Sequence, residues 1–539
     1  MTDFEFWCSL DSETAAELRS LDKKEIEDRF YKNLEFGTGG MRGKMGAGPN
    51  RMNVYTVARA TEGLADYING TAAGQKSVVI AYDSRNNSRL FAETAARTLA
   101  GRNAKVYLFD TLMPTPVLSF AVRYLKCSAG LVITASHNPR EYNGYKVYDE
   151  NGCQLVPKYA DKLIDCVNAE DIKPGVKNAD IGGKAELIEK VGSEVLDAFL
   201  NEVKKLSVYP DKSDLKIVYT PLHGTGNIPV RRILEGRDVT VLPEQEMPDG
   251  NFSTVRSPNP EEKDALDLAV KKAKSIGADI VIGTDPDCDR IGVAVKQGDD
   301  FTLLSGNQTG ALLLDFILKF KKDRLGDAPT VVTTIVTGAL GAEIAKSYGC
   351  DVVYTLTGFK YIGEKICEWE KSGERTYVFG YEESYGYLPG AHARDKDAVS
   401  ASMLTAEMAA YYKNEGKTLV DALNELYEKC GYYCDRLETV VLEGKEGSEK
   451  IKQSMQRLRL AGADCLKGCV NVEDYSEGIK GLPKENVLKF IFADGSWAAA
   501  RPSGTEPKLK LYFSVKGQNE QTALVRLEEI KQILLDFIY

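Results

Sequence analysis

A chain of 539 residues, 43% hydrophobic and 27% charged, has the balance of an ordinary globular protein and room for three to five domains of roughly 100–200 residues each. Its formal charge of −10 argues against general nucleic-acid binding, which needs a surplus of cations facing the phosphate backbone. The 11 cysteines include the pairs Cys430/Cys434 and Cys465/Cys469, but no histidine or further cysteine stands close to either pair. That argues against zinc and for free thiols in a reducing cytoplasm. Residues 1–8 lack a basic, then apolar, leader, and the apolar run near residues 311–320 is cut by Asp315 and is too short to cross a bilayer.

In chain order, residues 1–36 read as charged helix. Residues 37–48 hold six glycines with Arg42 and Lys44. Such a loop could bring backbone close to an anion, although a mobile linker fits the composition better, and the Gly-Lys-Ser/Thr ending of a nucleotide loop is missing. From Ser77 the pattern alternates. Strands are expected at 78–82, 105–109 and 131–134 and helices at 88–100 and 116–125, the rhythm of a largely parallel α/β sheet. Asn143-Gly144 reads as a hairpin-like turn that brings Lys146 back toward residue 136. A second unit starts near Leu215, with strands at 216–219 and 279–282 and an amphipathic helix at 261–276. A third runs from about residue 306, with helices at 311–319 and 341–348 and strands at 331–335, 351–354 and 376–379. The remainder, with strands at 435–442 and 487–492 and helices at 448–460 and 522–539, reads as a smaller α+β domain.

Three strands end in polar loops, where open α/β sheets place their chemistry. After Leu131–Thr134 come Ser136 and His137. Ser136 is a candidate nucleophile that needs a base or cation beside it. After Ile280-Val-Ile282 come Asp285, Asp287 and Asp289. Alternation along extended backbone would aim all three carboxylates one way. Their mutual repulsion calls for a cation, and all-oxygen ligation suits Mg²⁺. After the strand at 376–379 come Glu382 and Ser384, able to hydrogen-bond sugar hydroxyls. His392, Arg394 and Lys396 follow as a basic segment suited to an anionic sugar. In the last domain, Arg501, Ser503, Gly504 and Thr505 form either an anion-shaped loop, in which arginine offers a planar fork, or a surface turn built around Pro502 and Gly504. His223, before Gly224-Thr-Gly226, could face an anion at a helix start, but a structural hydrogen bond accounts for it better.

Thr-Ala-Ser136-His-Asn-Pro, Asp285-Pro-Asp287-Cys-Asp289-Arg, Glu382-Glu-Ser384-Tyr-Gly and Arg501-Pro-Ser-Gly-Thr-Glu-Pro, in this order, resemble the α-D-phosphohexomutase family. The nearest likeness is its phosphoglucomutase/phosphomannomutase members of the phosphoglucomutase-2-like branch. The resemblance implies three consecutive α/β domains with mixed sheets and a smaller C-terminal α+β domain around a central cleft, expected at 1–205, 206–304, 305–428 and 429–539. It implies a cytoplasmic phosphosugar mutase. Hexose 1-phosphate and hexose 6-phosphate, of glucose and also mannose, would interconvert through a phosphoserine enzyme and a bisphosphate.

Ser136 would carry the phosphoryl group, and one Mg²⁺ would sit on Ser136, Asp285, Asp287 and Asp289. Glu382 and Ser384 would hold the sugar, and Arg501, Ser503, Gly504 and Thr505 the non-reacting phosphate. Arg42, Lys146, Arg290, Thr357, Gly358 and Lys396 match further substrate positions. His137 and Lys396 both stand as acid–base candidates. Glucose 1,6-bisphosphate is the expected activator and sugar phosphates the expected ligands, with no membrane, nucleic-acid or obligate protein partner. One stretch departs from the commonest family form: Arg140-Glu-Tyr-Asn follows Pro139. Phosphopentomutase, glucose-1,6-bisphosphate synthase and a serine-phosphate phosphohydrolase are the alternative activities.

Overall fold

The computed structural model describes residues 2–71, 76–176, 182–210, 213–442, 444–503 and 508–539. Gly504 and Thr505 therefore lie outside the described residues. The chain forms two bodies, one of residues 1–304, 359–373 and 386–414, the other of residues 305–358, 374–385 and 415–539.

The first body begins with three short helices, Asp3–Leu10, Ser12–Arg19 and Lys23–Phe30. Thr2, Asp11 and Asp22 each cap the helix that follows, and an acceptor side chain at a cap satisfies amide donors that would otherwise be orphaned. Its first sheet runs, in spatial order, Gly40–Lys44, Tyr142–Tyr148, Ala129–Ile133, Ser77–Tyr82, Lys105–Phe109 and Ile188–Val191. The last four pair in parallel and Tyr142–Tyr148 is antiparallel to both its neighbours. Val78, Ile80, Leu131 and Ile133 are fully buried in one cluster with Leu64 and Leu99 of flanking helices. A strand buried on both faces is expected to be a continuous apolar run, which is how these segments read in sequence.

Two expectations change here. Part of the glycine-rich segment is not a loop or linker: Gly40–Lys44 is an edge strand paired to Tyr142–Tyr148. Asn143-Gly144 lies inside a strand rather than in a turn, and the chain reverses between Ile133 and Tyr142. Gly144 is there for close approach, since a Cβ on it would stand 2.5 Å from the Thr134 carbonyl oxygen. Lys146 does return toward the strand that leads to Ser136, paired with Val132.

The second sheet of this body runs Asp300–Leu303, Ile291–Gln297, Ile280–Thr284, Lys216–Thr220 and Asp238–Val241, the last three parallel. Residues 398–414 add a helix that is buried along most of its length. Glu407 on that helix accepts from Ser207 Oγ and from the amides of Val208 and Tyr209.

In the second body, Asp351–Thr355, Pro329–Thr334 and Thr376–Glu382 lie side by side in parallel. A separate antiparallel sheet follows in the order Tyr432–Val441, Lys508–Gly517, Trp497–Pro502, Leu488–Phe492 and Cys469–Asp474. Its inward face packs Phe490, Leu511 and Phe513 with Leu527 and Leu534 of the final helix Glu520–Asp536. One body therefore carries two mixed α/β sheets, and the other carries a parallel sheet plus an antiparallel α+β layer. Among the described residues, no helix is long and apolar enough to cross a membrane.

Candidate active site

Ser136 follows the parallel strand Ala129–Ile133 and Asp285 follows the parallel strand Ile280–Thr284, each at the carboxyl end where loops are free to vary. Both loops bend sharply. Ser136 has φ 51° and Cys288, between two of the aspartates, φ 54°. Left-handed backbone disfavours residues with a Cβ and persists where the surroundings over-determine it, most often at functional sites. The three aspartates therefore do not converge by strand alternation as expected. The chain turns through Cys288 and folds their carboxylates together, with ligand oxygens within 4.8 Å of one another.

Ser136, 3% exposed, donates from Oγ to Asp285 Oδ2 at 2.7 Å, and His137 Nδ1 lies 3.2 Å from the same Oγ. Asp285 Oδ1 accepts the amides of Asp289 and Arg290. Lys146 Nζ lies 2.9 Å from Asp287 Oδ2, and Lys396 Nζ 3.1 Å from Asp289 Oδ2. Arg290 pairs with Glu261, and Arg42, exposed on its edge strand, donates to Asn138 Oδ1 at 2.8 Å. The structure thus brings Ser136, His137, Asp285, Asp287, Asp289, Arg42, Lys146, Arg290 and Lys396 into one connected cluster of the first body.

The electrostatics fit a hard divalent cation. All three carboxylates are buried, and Asp287 Oδ1 and Asp289 Oδ1 have no hydrogen-bond partner among the described residues. Buried unpaired carboxylate oxygens are costly. Burial and the neighbouring aspartates push the Asp285 carboxyl well above the usual carboxylate range, and Asp289 up as well. At Asp287 burial is outweighed by Lys146 and by hydrogen bonds, which hold it low. An oxygen-only set of this kind suits Mg²⁺. His137 is held well below its ordinary range by burial and by the cations Arg290 and Arg42, so its ring is neutral at pH 7.

Several residues that sequence reasoning missed build this site. Arg85, with a side chain 0% exposed, donates to the carbonyls of Ser136 (2.6 Å), Pro139 (2.9 Å), Tyr142 (3.1 Å) and Asn138. Its Nε faces Asp83 Oδ2 at 3.3 Å. Asp83 in turn accepts from Thr134 Oγ1, which accepts the Ser136 amide. The signal was present: Asp83-Ser-Arg85 ends the strand next to the one that leads to Ser136. Thr115 donates from its amide and hydroxyl to Asp287 O and Oδ2, and Thr225 donates from both to Pro286 O. Ser257 Oγ donates to the His137 carbonyl. The basic segment at 392–396 is a correction. Arg394, 1% exposed, turns inward to Glu370 and to the Ala391 and Ala393 carbonyls, so of its three basic side chains only Lys396 reaches the aspartates. His223 is structural, with ring nitrogens against Met247 O and Thr254 Oγ1.

In the second body, Glu382 ends its strand with the carboxylate buried and accepts the Gly358 amide at 2.7 Å. Thr357 Oγ1 is buried with no hydrogen-bond partner among the described residues. Ser384 follows, half-buried, beside Tyr385 at φ 62°. Thr357, Gly358, Glu382 and Ser384 thus gather at the carboxyl ends of two strands of one sheet. Arg501 lies on Trp497–Pro502 and contacts Glu485 at 3.4 Å, and the Ser503 amide donates to Lys508 O.

Comparison with known proteins agrees along the chain. Four consecutive stretches match the phosphoglucomutase/phosphomannomutase family: alpha/beta/alpha domain I over residues 33–173, domain II over 196–298, domain III over 305–430 and the C-terminal domain over 440–532. A phosphoglucomutase of Staphylococcus haemolyticus (strain JCSC1435) is 39% identical over 534 residues, covering 95% of this chain and 94% of that protein. The fold matches that of pp63/parafusin, a phosphoglucomutase from Paramecium, in its open form (TM-score 0.73, 18% identity, 94% of this chain and 95% of that one). It also matches N-acetylphosphoglucosamine mutase of Aspergillus fumigatus in complex with GlcNAc-6P and magnesium (TM-score 0.53, 15% identity, 100% of both chains). The four ordered motifs, the strand-end loops that carry them and these matches agree: the chain belongs to the phosphoglucomutase/phosphomannomutase family of α-D-phosphohexomutases, intramolecular phosphotransferases that isomerise hexose phosphates.

Proposed function

We propose that this hexose phosphate mutase works on glucose phosphates through a phosphoserine at residue 136. The observation that supports this most is the Ser136 Oγ hydrogen bond to Asp285 at 2.7 Å, made from a strained backbone among three buried carboxylates and two lysines. Phosphoryl transfer asks little covalent chemistry of a protein and much positioning and charge stabilisation. A hexose phosphate hydroxyl attacks the phosphorus of phosphoserine 136, the P–Oγ bond breaks, and the serine oxygen regains a proton while the sugar oxygen loses one. In the second half the bisphosphate presents its other phosphate, Ser136 Oγ gives up its proton and attacks that phosphorus, the P–O bond to the sugar breaks, and the sugar oxygen takes up a proton as the isomerised monophosphate leaves.

His137, held neutral with Nδ1 3.2 Å from Oγ, is placed to accept the serine proton in the second half and to return it in the first. Lys146 and Lys396 flank the aspartates and stabilise charge on the transferring group. Asp285, Asp287 and Asp289, joined by an oxygen on Ser136, would hold one Mg²⁺, which when bound supplies Lewis-acid stabilisation of phosphoryl oxygens. Glu382, Ser384, Thr357 and Gly358 bind sugar hydroxyls. Arg501 and Ser503, with Gly504 and Thr505, bind the phosphate that is not reacting, and Arg42 and Arg290 add phosphate contacts. Glucose 1,6-bisphosphate serves as activator by rephosphorylating Ser136. We place the protein in the cytoplasm and its domain boundaries near residues 205, 304 and 428.

The preference for glucose is supported by the curated relative of S. haemolyticus, named phosphoglucomutase. The test is intact-mass analysis of the purified protein with a coupled assay on glucose, mannose and ribose 1-phosphates. A phosphate that Ser136→Ala removes, and fastest turnover with glucose 1-phosphate, are expected. Full turnover in Ser136→Ala would refute the phosphoserine, and a faster pentose substrate would refute the sugar assignment.

A further inference from the structure

The segment from Gly390 to Asp397 delivers Lys396 to the aspartate cluster, yet it belongs to no helix or strand. Its shape comes from side chains. Arg123 donates to the carbonyls of Ala391 and His392, and the Arg394 amide donates to Ser119 Oγ at 2.8 Å. His392 then folds back across the segment and places Nε2 2.7 Å from Asp397 Oδ2, with both side chains buried, 4% and 0% exposed. Asp397 is the joint of the segment. Its amide donates to Tyr387 O at 2.8 Å, and its carboxylate accepts the amides of Val399 and Ser400 at the start of the helix Ala398–Asn414. The next residue, Ala398, donates its amide to the Cys288 carbonyl inside the aspartate loop. Lys396, between this joint and Asp395, ends with Nζ 3.1 Å from Asp289 and 2.9 Å from Asp395 Oδ1, and Asp395 is itself held by the Tyr148 hydroxyl at 2.7 Å.

The Asp397 carboxylate already accepts the amides of Val399 and Ser400, and a carboxylate oxygen offers lone pairs to a ring N–H, so His392 Nε2 is placed as the donor of the contact. Nδ1 is buried with no hydrogen-bond partner among the described residues. The ring also leans on Phe199, with centroids 5.6 Å apart. Two roles are thus available to His392: filling space against Phe199, or donating to Asp397. Filling space would stabilise the fold at large, whereas the donated hydrogen bond fixes the position of the residue that precedes Asp397.

We propose that His392 is a positioning residue: its hydrogen bond to Asp397 closes the 392–397 segment and fixes the Lys396 ammonium beside Asp289. The inference rests on the role given above to Lys396, and the experiment separates the two. His392→Phe keeps a ring against Phe199 and removes the donor, whereas His392→Gln keeps a donor of similar reach and removes the ring. The phenylalanine variant is expected to lose roughly tenfold in kcat, the scale of one charge-assisted hydrogen bond, with KM for glucose 1-phosphate changed less. The glutamine variant is expected to retain more than a third of the wild-type kcat.

In a Lys396→Met background the loss from His392→Phe should vanish, because a residue that acts through Lys396 has nothing left to position. An equal loss in both backgrounds, or a glutamine variant slower than the phenylalanine one, would overturn the positioning role and leave Lys396 untouched. A wild-type rate in Lys396→Met alone would overturn the role of Lys396 and the proposal with it.

Discussion

Replacing Arg85 by methionine removes a cation whose side chain is fully buried against the Ser136 loop, and it should cost most of the activity. Arg85 reaches four carbonyls of the Ser136 loop and pairs with Asp83. A hydrogen bond from a charged donor contributes about 1.5–3 kcal/mol, but water can replace Arg85 at Pro139, which is exposed, and at Tyr142, which is half-buried. What water cannot replace is the contact to the buried Ser136 carbonyl and the partner of Asp83, whose side chain is 0% exposed. Breaking a buried pair by removing one partner costs about 3–5 kcal/mol. The loop also stores backbone strain at Ser136, of order 1–3 kcal/mol, which it can release once the clamp is gone.

The path of least cost is therefore for the loop to relax and for Oγ to leave its place beside Asp285. A misplacement of about 1 Å costs on the order of a hundredfold in rate. Arg85→Met should lower kcat by about a hundredfold or more, with a smaller effect on KM, and Arg85→Lys should fall between, because a point charge cannot serve four carbonyls at once. The assay is initial rate from glucose 1-phosphate at saturating bisphosphate, beside the rate at which bisphosphate phosphorylates Ser136. A methionine variant that folds and keeps kcat within about threefold of wild type would refute the clamp, since less than 1 kcal/mol would then separate the two loops.

Other consequences are equally measurable. Mg²⁺ should raise the thermal midpoint of the wild type but not of Asp287→Ala, since a ligand stabilises only the state that binds it; an equal rise in both would place the ion elsewhere. Asp435 in the second body is half-buried with its Oδ1 buried, and desolvation pushes its carboxyl up to about 6 against the pull of Ser514 and Asn307. The folded chain then holds this proton more tightly than the unfolded chain, whose Asp titrates near about 3.9, so the contribution of Asp435 to stability falls as pH rises from about 4 to 6. Asp435→Asn should remove that slope and gain about 2–3 kcal/mol at pH 7 relative to acid; parallel midpoints of wild type and variant across this range would refute it. Arg501→Ala should weaken substrate binding roughly ten- to a hundredfold and make turnover more dependent on added glucose 1,6-bisphosphate; unchanged kinetics at every activator concentration would reduce the loop to a turn.

By itself, the sequence determined the class of fold, the strand-end loops and the chemistry they carry. Buried parallel strands need continuous apolar runs, so Val78–Tyr82, Leu131–Thr134 and Ile280–Ile282 announced themselves, and with them the loops at Ser136 and Asp285. Three aspartates at alternate positions after such a strand called for a cation whatever their detailed geometry. The tertiary structure decided what depends on pairing across long separations or on the sign of φ. Composition could not show that Gly40–Lys44 is a strand, because its partner lies about a hundred residues away at Tyr142–Tyr148. Nor could alternation reveal that the carboxylates meet through a left-handed turn at Cys288. Arg85, Thr115 and Thr225 escaped notice because each acts through a backbone carbonyl or a carboxylate brought near by folding, and such partners leave no periodic mark on the chain; His392 read as part of a basic segment, and only the fold turned it to Asp397. Local pattern records where a side chain points along its own element; only packing settles which distant atoms it meets.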